Sequence, residues 1–315
     1  MNSAKQVILR QFKEKPNQYI SGELLSKKLN VSRSAVWKNI EQLRQTGYEI
    51  TACRNKGYLL VGEPDLLDIE LLQAKGIYYV ESVDSTNLAA RQLAEEGADN
   101  FTVITAEEQL AGRGRHGRNW HSPKGKGLWF TVILRPEGVP PTGISSVTLV
   151  TAAVVADYLS ANNIPVKVKW PNDLLIREKK TGGILTEFKG EPDRIDYLLV
   201  GIGLNVHHRT VDFPDQLKPL ATSLGLEGEV KLKRTELLLA ISGRLQQAYN
   251  LYFNEGFSLF QPLWKKYNVT LGREVKVKLP NGEIKGKAID LNESGALLLQ
   301  DESGTVQTIS YGEII

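Results

Sequence analysis

The chain of 315 residues is 41% hydrophobic and 24% charged. That is the balance of a globular protein with room for two or three domains, and it excludes a largely disordered chain. A single cysteine, Cys53, excludes an internal disulfide and fits a reducing, cytoplasmic setting. The net charge of +3 conceals an asymmetry: residues 1–62 carry 11 Lys/Arg against 4 Asp/Glu, net +7, and the remainder carries 28 against 32, net −4. A basic module on a mildly acidic body points to a polyanionic partner for the first part only.

Three helical patterns open the chain. Ser3 is positioned to cap a helix over residues 3–13, with Val7, Ile8 and Phe12 on one face. Residues 1–10 hold no apolar core of signal-peptide length. Ser21 caps a second helix over 22–29. Ser32 caps a third over 33–46, in which Val36, Ile40 and Leu43 share a face and Gly47 supplies a left-handed stop. Residues 48–52 alternate as a strand, 54–57 turn, and 58–61 return. This order resembles a winged helix-turn-helix. Its third helix would enter the major groove with Ser32, Arg33 and Ser34 near base edges, while Lys38, Arg54 and Lys56 meet phosphates. Small winged helices also serve protein contacts, so that alternative stays open. Pro64 and the acidic residues 65–70 mark a boundary.

From about residue 66 to 268, helical and strand patterns alternate, which predicts an α/β domain with a mixed sheet. Asp84-Ser85-Thr86-Asn87 precedes a helical run over 88–96, with Ser85 or Asn87 as its cap, and 101–106 reads as a strand. Then comes Gly112-Arg113-Gly114-Arg115-His116-Gly117. By spacing it matches the dinucleotide fingerprint G-x-G-x-x-G, but no apolar helix follows it, as that fingerprint requires. Residues 118–127 read as loop, so the glycines and cations describe an anion-binding loop. Residues 128–134 form a core strand. Residues 144–159, the longest apolar stretch, contain Thr148, Thr151 and Asp157, which predicts a buried helix rather than a membrane span. The strand over 166–170 ends at Pro171-Asn172-Asp173, placing Lys169, Asn172 and Asp173 at a strand end. Residues 177–180 form a charged hairpin tip; Thr181-Gly182-Gly183 leads into the next strand, and 197–206 forms another. From residue 271 the pattern turns to short strands around Asn281-Gly282, the signature of a small β module.

Five stretches in this order resemble the biotin–protein ligase family, in its bifunctional members that also repress transcription. They are Asp84-Ser85-Thr86-Asn87, the glycine loop, Lys169-Trp170-Pro171-Asn172-Asp173, Lys180-Thr181-Gly182-Gly183-Ile184-Leu185 and Gly201-Ile202-Gly203-Leu204-Asn205. The resemblance implies a winged helix-turn-helix over 1–63, a biotin- and ATP-binding catalytic domain over 64–270 and an SH3-like β domain over 271–315. It implies that biotin and ATP give biotinyl-5′-adenylate, whose acyl group passes to one lysine of a biotin carboxyl carrier protein of acetyl-CoA carboxylase or pyruvate carboxylase. It also implies a homodimer promoted by the adenylate that binds operator DNA.

By the same resemblance Ser85, Thr86, Asn87, Gln109, Arg113, Gly114, Arg115 and Lys180 contact biotin or the adenylate, with Lys180, Arg115 and Asp173 catalytic. Trp120 covers the adenine; Lys169, Asn172 and Asn205 lie on the nucleotide side, and Asp173 is the candidate magnesium ligand. A carboxylate attacking an α-phosphate brings two anions together, which explains the demand for cations. Two rival readings are a ligand-sensing repressor with an inactive ligase domain and a lipoate-type acyl ligase. The intact Lys180, Arg113 and Arg115 disfavour the first, and the glycine loop with the Lys-Trp-Pro-Asn-Asp run disfavours the second.

Overall fold

A computed structural model of the chain describes residues 4–137, 144–191, 194–228 and 233–315. The expected cap Ser3 lies outside them. The chain divides into two compact units, Met1–Leu66 and Leu67–Ile315.

The first unit contains α1 (Ala4–Glu14), α2 (Gly22–Leu29), α3 (Arg33–Gln45) and an antiparallel hairpin of β1 (Glu49–Cys53) and β2 (Gly57–Gly62). The two interior caps form as their residue types dictate. Ser21 Oγ accepts from the Leu24 N–H at 3.1 Å, and Ser32 Oγ accepts from the Ala35 N–H at 3.2 Å, satisfying donors that a helix start leaves free. Ile8, Phe12, Leu25, Val36, Ile40, Leu43 and Ile50 close a core of their own. Gly47, at φ 96°, turns the chain out of α3.

The second unit runs through α4 (Ile69–Ala74), β3 (Tyr78–Val83), α5 (Thr86–Glu95), β4 (Thr102–Gln109), β5 (Gly127–Leu134), α6 (Ser145–Ala161), β6 (Lys167–Lys169), β7 (Asp173–Ile176), β8 (Lys179–Glu191), β9 (Arg194–Asn205), α7 (Leu224–Glu227), α8 (Arg234–Glu255) and α9 (Gln261–Tyr267). Its seven strands pair in the order β3-β4-β5-β9-β8-β7-β6. Only β3 and β4 run parallel, so the sheet is mixed. Every residue of β5 is buried, which explains why Thr131 is the one polar side chain in its apolar run: α5 packs on one side, over Ile104, Ile133 and Leu199, and the larger core lies among α6, α8 and α9. The C-terminal strands β10 (Glu274–Leu279), β11 (Gly282–Leu291), β12 (Leu297–Gln300), β13 (Val306–Ile309) and β14 (Glu313–Ile314) form an antiparallel sheet in the order β13-β12-β11-β10-β14. Its Val277, Leu297 and Leu299 join the larger core. No helix of the described residues is long and apolar enough to cross a membrane.

Two local expectations change. The hairpin tip expected over 177–180 is the two-residue turn Arg177-Glu178, both left-handed at φ 46° and 68°. Lys179 and Lys180 therefore belong to β8, and 173–176 is a strand because Leu174 and Ile176 alternate into the core. Ser85 occupies the position before α5 but makes no side-chain cap.

Candidate active site

The start of α5 is held by the end of β4 and by the strand beside it. Gln109 Oε1 accepts from the Thr86 main-chain N–H at 2.8 Å and from its hydroxyl at 3.2 Å, and Gln109 Nε2 donates to Ser122 Oγ at 2.8 Å. Thr131 Oγ1 donates to Asn87 Oδ1 at 2.7 Å, and Asn87 Nδ2 donates to Glu187 Oε2 at 2.9 Å. This places Asn87 against bare backbone: a Cβ on Gly201 would lie 2.2 Å from Asn87 Oδ1. The amide of Asn87 is thus spent on orienting the first turn of α5, whose free N–H groups and positive dipole end favour anions.

The glycine loop is an ordered excursion rather than featureless coil. The Trp120 N–H donates to Gly112 O at 2.8 Å, the Gly114 N–H to Arg118 O at 2.7 Å, and the tip is a tight turn over Arg115–Gly117 with His116 left-handed. The turn sends its cations to different partners. Arg115 donates to Asn172 Oδ1 at 3.3 Å and to Gly312 O at 3.0 Å. Burial pulls its guanidinium below the ordinary arginine range, against the raising charges of Asp173 and Glu313. Arg118 grips the Glu313 carboxylate with two N–H groups. Those bonds, with Coulomb attraction, raise the arginine and lower the acid. Arg113 makes no hydrogen bond or ion pair among the described residues, leaving its charge available to a ligand.

Opposite the loop, the ends of β6, β7 and β8 converge. Lys180 Nζ lies 2.5 Å from Asp173 Oδ1 and 5.5 Å from the centre of the Trp120 ring. The indole lies against β8 and β9 where Gly183 and Gly203 face each other. A Cβ on Gly203 would sit 2.7 Å from Trp120 Nε1, and that N–H is buried without a hydrogen-bond partner among the described residues. Three polar side chains on this side bind main-chain carbonyls: Lys169 Nζ to Ile314 O at 2.8 Å, Asn172 Nδ2 to Ile184 O at 2.9 Å and Asn205 Nδ2 to Thr222 O at 2.9 Å.

These groups line one cavity of about 450 Å³. It brings together every residue expected at the small-molecule site: Ser85, Thr86, Asn87 and Gln109; Arg113, Gly114, Arg115 and Trp120; Lys169, Asn172, Asp173, Lys180 and Asn205. It also contains residues that local patterns did not single out. Glu313 and Ile314 come from β14, and Phe213, Leu217, Leu220 and Ala221 come from the segment after β9. The only local hint of the latter is their apolar character between β9 and α7. That segment is clamped to the loop: the ring of His121 hydrogen-bonds Asp212 O at 2.9 Å through Nε2. Behind Phe213 stacks His208, 1% exposed and with neither ring nitrogen hydrogen-bonded among the described residues. Burial pushes its pKa down to about 3. Burial alone would raise the neighbouring Asp212 carboxyl, but bonds from Arg209 and Lys126 outweigh it and hold the group down at about 2.

The cavity therefore has five cations, Arg113, Arg115, Arg118, Lys169 and Lys180, with three acids, Asp173, Glu178 and Glu313. It can hold a molecule with an apolar part and several negative charges. Among the described residues no group of three or more His, Cys, Asp or Glu is placed to hold a metal. Asp173 alone, paired to Lys180, does not make a resident magnesium site. It does fit the usual arrangement in which magnesium takes one carboxylate together with ligand phosphates.

Comparison with known proteins matches the sequence model of the Biotin/lipoate A/B protein ligase family to residues 79–205, an HTH domain to residues 5–59 and the Biotin protein ligase C terminal domain to residues 270–315. The chain is 38% identical over 306 residues to the bifunctional ligase/repressor BirA of Bacillus subtilis, covering 94% of each chain. It is 33% identical over 308 residues to BirA of Escherichia coli, covering 94% of this chain and 92% of that one. The solved biotin protein ligase of Aquifex aeolicus in complex with biotin and ATP superposes with a TM-score of 0.66 at 33% identity, covering 76% of this chain and 98% of that one.

Proposed function

The chain belongs to the biotin protein ligase family, with the bifunctional ligase/repressors, and from that premise we propose that it activates biotin with ATP, transfers it to protein and represses transcription in response to biotin. It is an ATP-dependent, AMP-forming biotin ligase. In the first step a biotin carboxylate oxygen attacks the α-phosphorus of ATP and pyrophosphate leaves. In the second, a lysine amine of the carrier attacks the acyl carbon, AMP leaves and the amine loses a proton. The observation that carries this reading is the convergence of Arg113, Arg115 and Lys180 with the α5 N-terminus on one cavity.

The roles follow from the chemistry. Ser85, Thr86 and Gln109 bind the polar end of biotin, with Asn87 holding the turn that presents them. Arg113, Arg115 and Lys180 offset repulsion between carboxylate and phosphate and stabilise charge that grows at the phosphorus, with Gly114 letting the backbone approach. Lys180 exchanges Asp173 for phosphate when ATP enters, which frees Asp173 to orient the incoming amine. Magnesium arriving with ATP would be held by Asp173 and the phosphates, where it neutralises phosphate charge. Trp120 lines the adenine side, and Lys169, Asn172 and Asn205 fix its walls through their carbonyl bonds. The mixed anhydride hydrolyses readily, so the loop over 109–122 excludes water.

The domain limits 1–63, 64–270 and 271–315, a cytoplasmic location, a ligand-promoted homodimer and a biotin carboxyl carrier protein as acceptor complete the proposal. The basic first unit recognises operator DNA. The test is biotin-dependent ATP–pyrophosphate exchange. Lys180→Ala and Arg115→Ala are expected to lower exchange by a factor on the order of 10²–10³ each, with circular dichroism unchanged. Near-normal exchange in both would overturn the site assignment. Exchange driven by lipoate instead of biotin would support the acyl-ligase alternative, and exchange with neither would support the repressor with an inactive enzyme domain.

A further inference from the structure

The polar side chains at the head of α3 are engaged within the protein. Ser32 Oγ caps the helix and also bonds Ser34 Oγ at 2.8 Å. The Arg33 guanidinium donates to Glu23 Oε2 at 3.0 Å, and Asn39 Nδ2 donates to Ala35 O at 2.8 Å. Arg44 is held by Glu41 and Ile50 O. In the next turn stands a side chain with no such tie among the described residues: Trp37 is 56% exposed. Val36, Ile40 and Leu43 point inward, and the helical period of 100° per residue turns Trp37 and Lys38 away from them. A Trp ring pairs a broad apolar face with a polar N–H, the type of side chain enriched where proteins meet partners, so its exposure here makes it available to one.

What it contacts is set by its surroundings. The unit carrying it has a net charge of +7 over residues 1–62. Lys27, Lys38, Arg54 and Lys56 are all exposed, a surface complementary to phosphate. In the major groove the one apolar group on a base edge is the C5 methyl of thymine. We infer that Trp37 is a specificity-determining side chain that reads a thymine methyl in the operator, while Lys38 meets the backbone beside it. The inference rests on the operator-binding reading of the first unit.

The experiment uses the full chain with biotin and ATP. Wild type and Trp37→Ala are each used to enrich binders from a random-sequence duplex pool, and each thymine of the wild-type duplex is then replaced singly by uracil. At one thymine, uracil is expected to weaken wild-type binding about fourfold, the worth of one buried methyl. Trp37→Ala should bind the thymine and uracil duplexes equally and lose preference at that position. Lys38→Ala should weaken both duplexes alike and keep the thymine preference, which separates a lost reader from a misfolded unit. If Trp37→Ala enriches the same duplex and keeps the same uracil penalty, the assignment fails while operator binding stands, and Trp37 faces another protein. If wild type enriches no duplex, the operator-binding reading fails and this inference with it.

Discussion

Adding one methyl group at Gly203 tests whether the Trp120 indole is seated as the structure places it. A Cβ there would lie 2.7 Å from Trp120 Nε1 and 2.9 Å from Cε2, about 0.7 Å inside the 3.4 Å at which ordinary contact begins. Gly203 cannot retreat, because it is paired with Gly183 on one side and Trp129 on the other. The indole cannot slide sideways freely either: Trp129 meets it edge-on at 6.5 Å and Lys180 stands over its face. Overpacking of this kind costs about 1–3 kcal/mol, and the relief open to the ring is movement into the cavity. A shift approaching 1 Å there costs up to about 10²-fold in rate. Gly203→Ala should therefore keep its fold, raise KM for ATP more than KM for biotin in pyrophosphate exchange, and lower kcat. The double variant with Trp120→Ala should not pay the Gly203 penalty again, since the obstructing ring is gone. An unchanged KM for ATP, or a penalty that persists in full without the indole, would refute this account of the packing.

Two further predictions concern groups outside the loop. Glu313→Gln removes the charge that Arg118 grips; because Arg118 is largely solvated and Glu313 only half-buried, stability should fall by less than about 1 kcal/mol, while adenylation slows as the loop tip loses its charged anchor on β14. Equal losses in stability and activity, read by thermal melting and exchange, would contradict that division. His208 is held at a pKa of about 3 against an ordinary 6.5, so its neutral form supports the fold. That stability is complete above pH 6.5 and is lost as pH falls toward 3. Between pH 7 and 4.5 the loss should be about 2–3 kcal/mol. In urea melts His208→Phe should flatten that part of the pH profile; matching slopes for both proteins would rule out His208 as its source.

Where an element rests on neighbours in the chain, its residues announce it. Ser21 and Ser32 cap the helices that follow because a hydroxyl one step before a helix reaches its free N–H groups. The loop from Gly112 to Gly117 declares its chemistry because glycines and cations stand side by side, and β5 declares its burial through an apolar run in which Thr131 is the one polar side chain. The first-turn residues Ser85 and Thr86, and the Lys169, Asn172 and Asp173 group, were legible as site candidates for the same reason: each sits at the end of its own element.

Distant partners were not legible. Arg115 finds its carbonyl 197 residues away at Gly312. The fully buried Arg234 meets Glu107 at 2.5 Å and also donates to Gly127 O, and neither residue carries any local mark of the other. Asn87 reads as a ligand contact from its motif and lines the cavity, but the bonds of its amide to Thr131 and Glu187 were not legible. Trp37 reads as one more helix residue until the bonds among Ser32, Ser34, Arg33 and Glu23 show which neighbours are already engaged. Local sequence determined the elements, the caps at Ser21 and Ser32 and the kind of charge each element presents, because those depend on a few consecutive side chains. Closure of the sheet and its core decided which cations stay free for a ligand and which are tied to protein, because that depends on atoms brought together only when the chain folds.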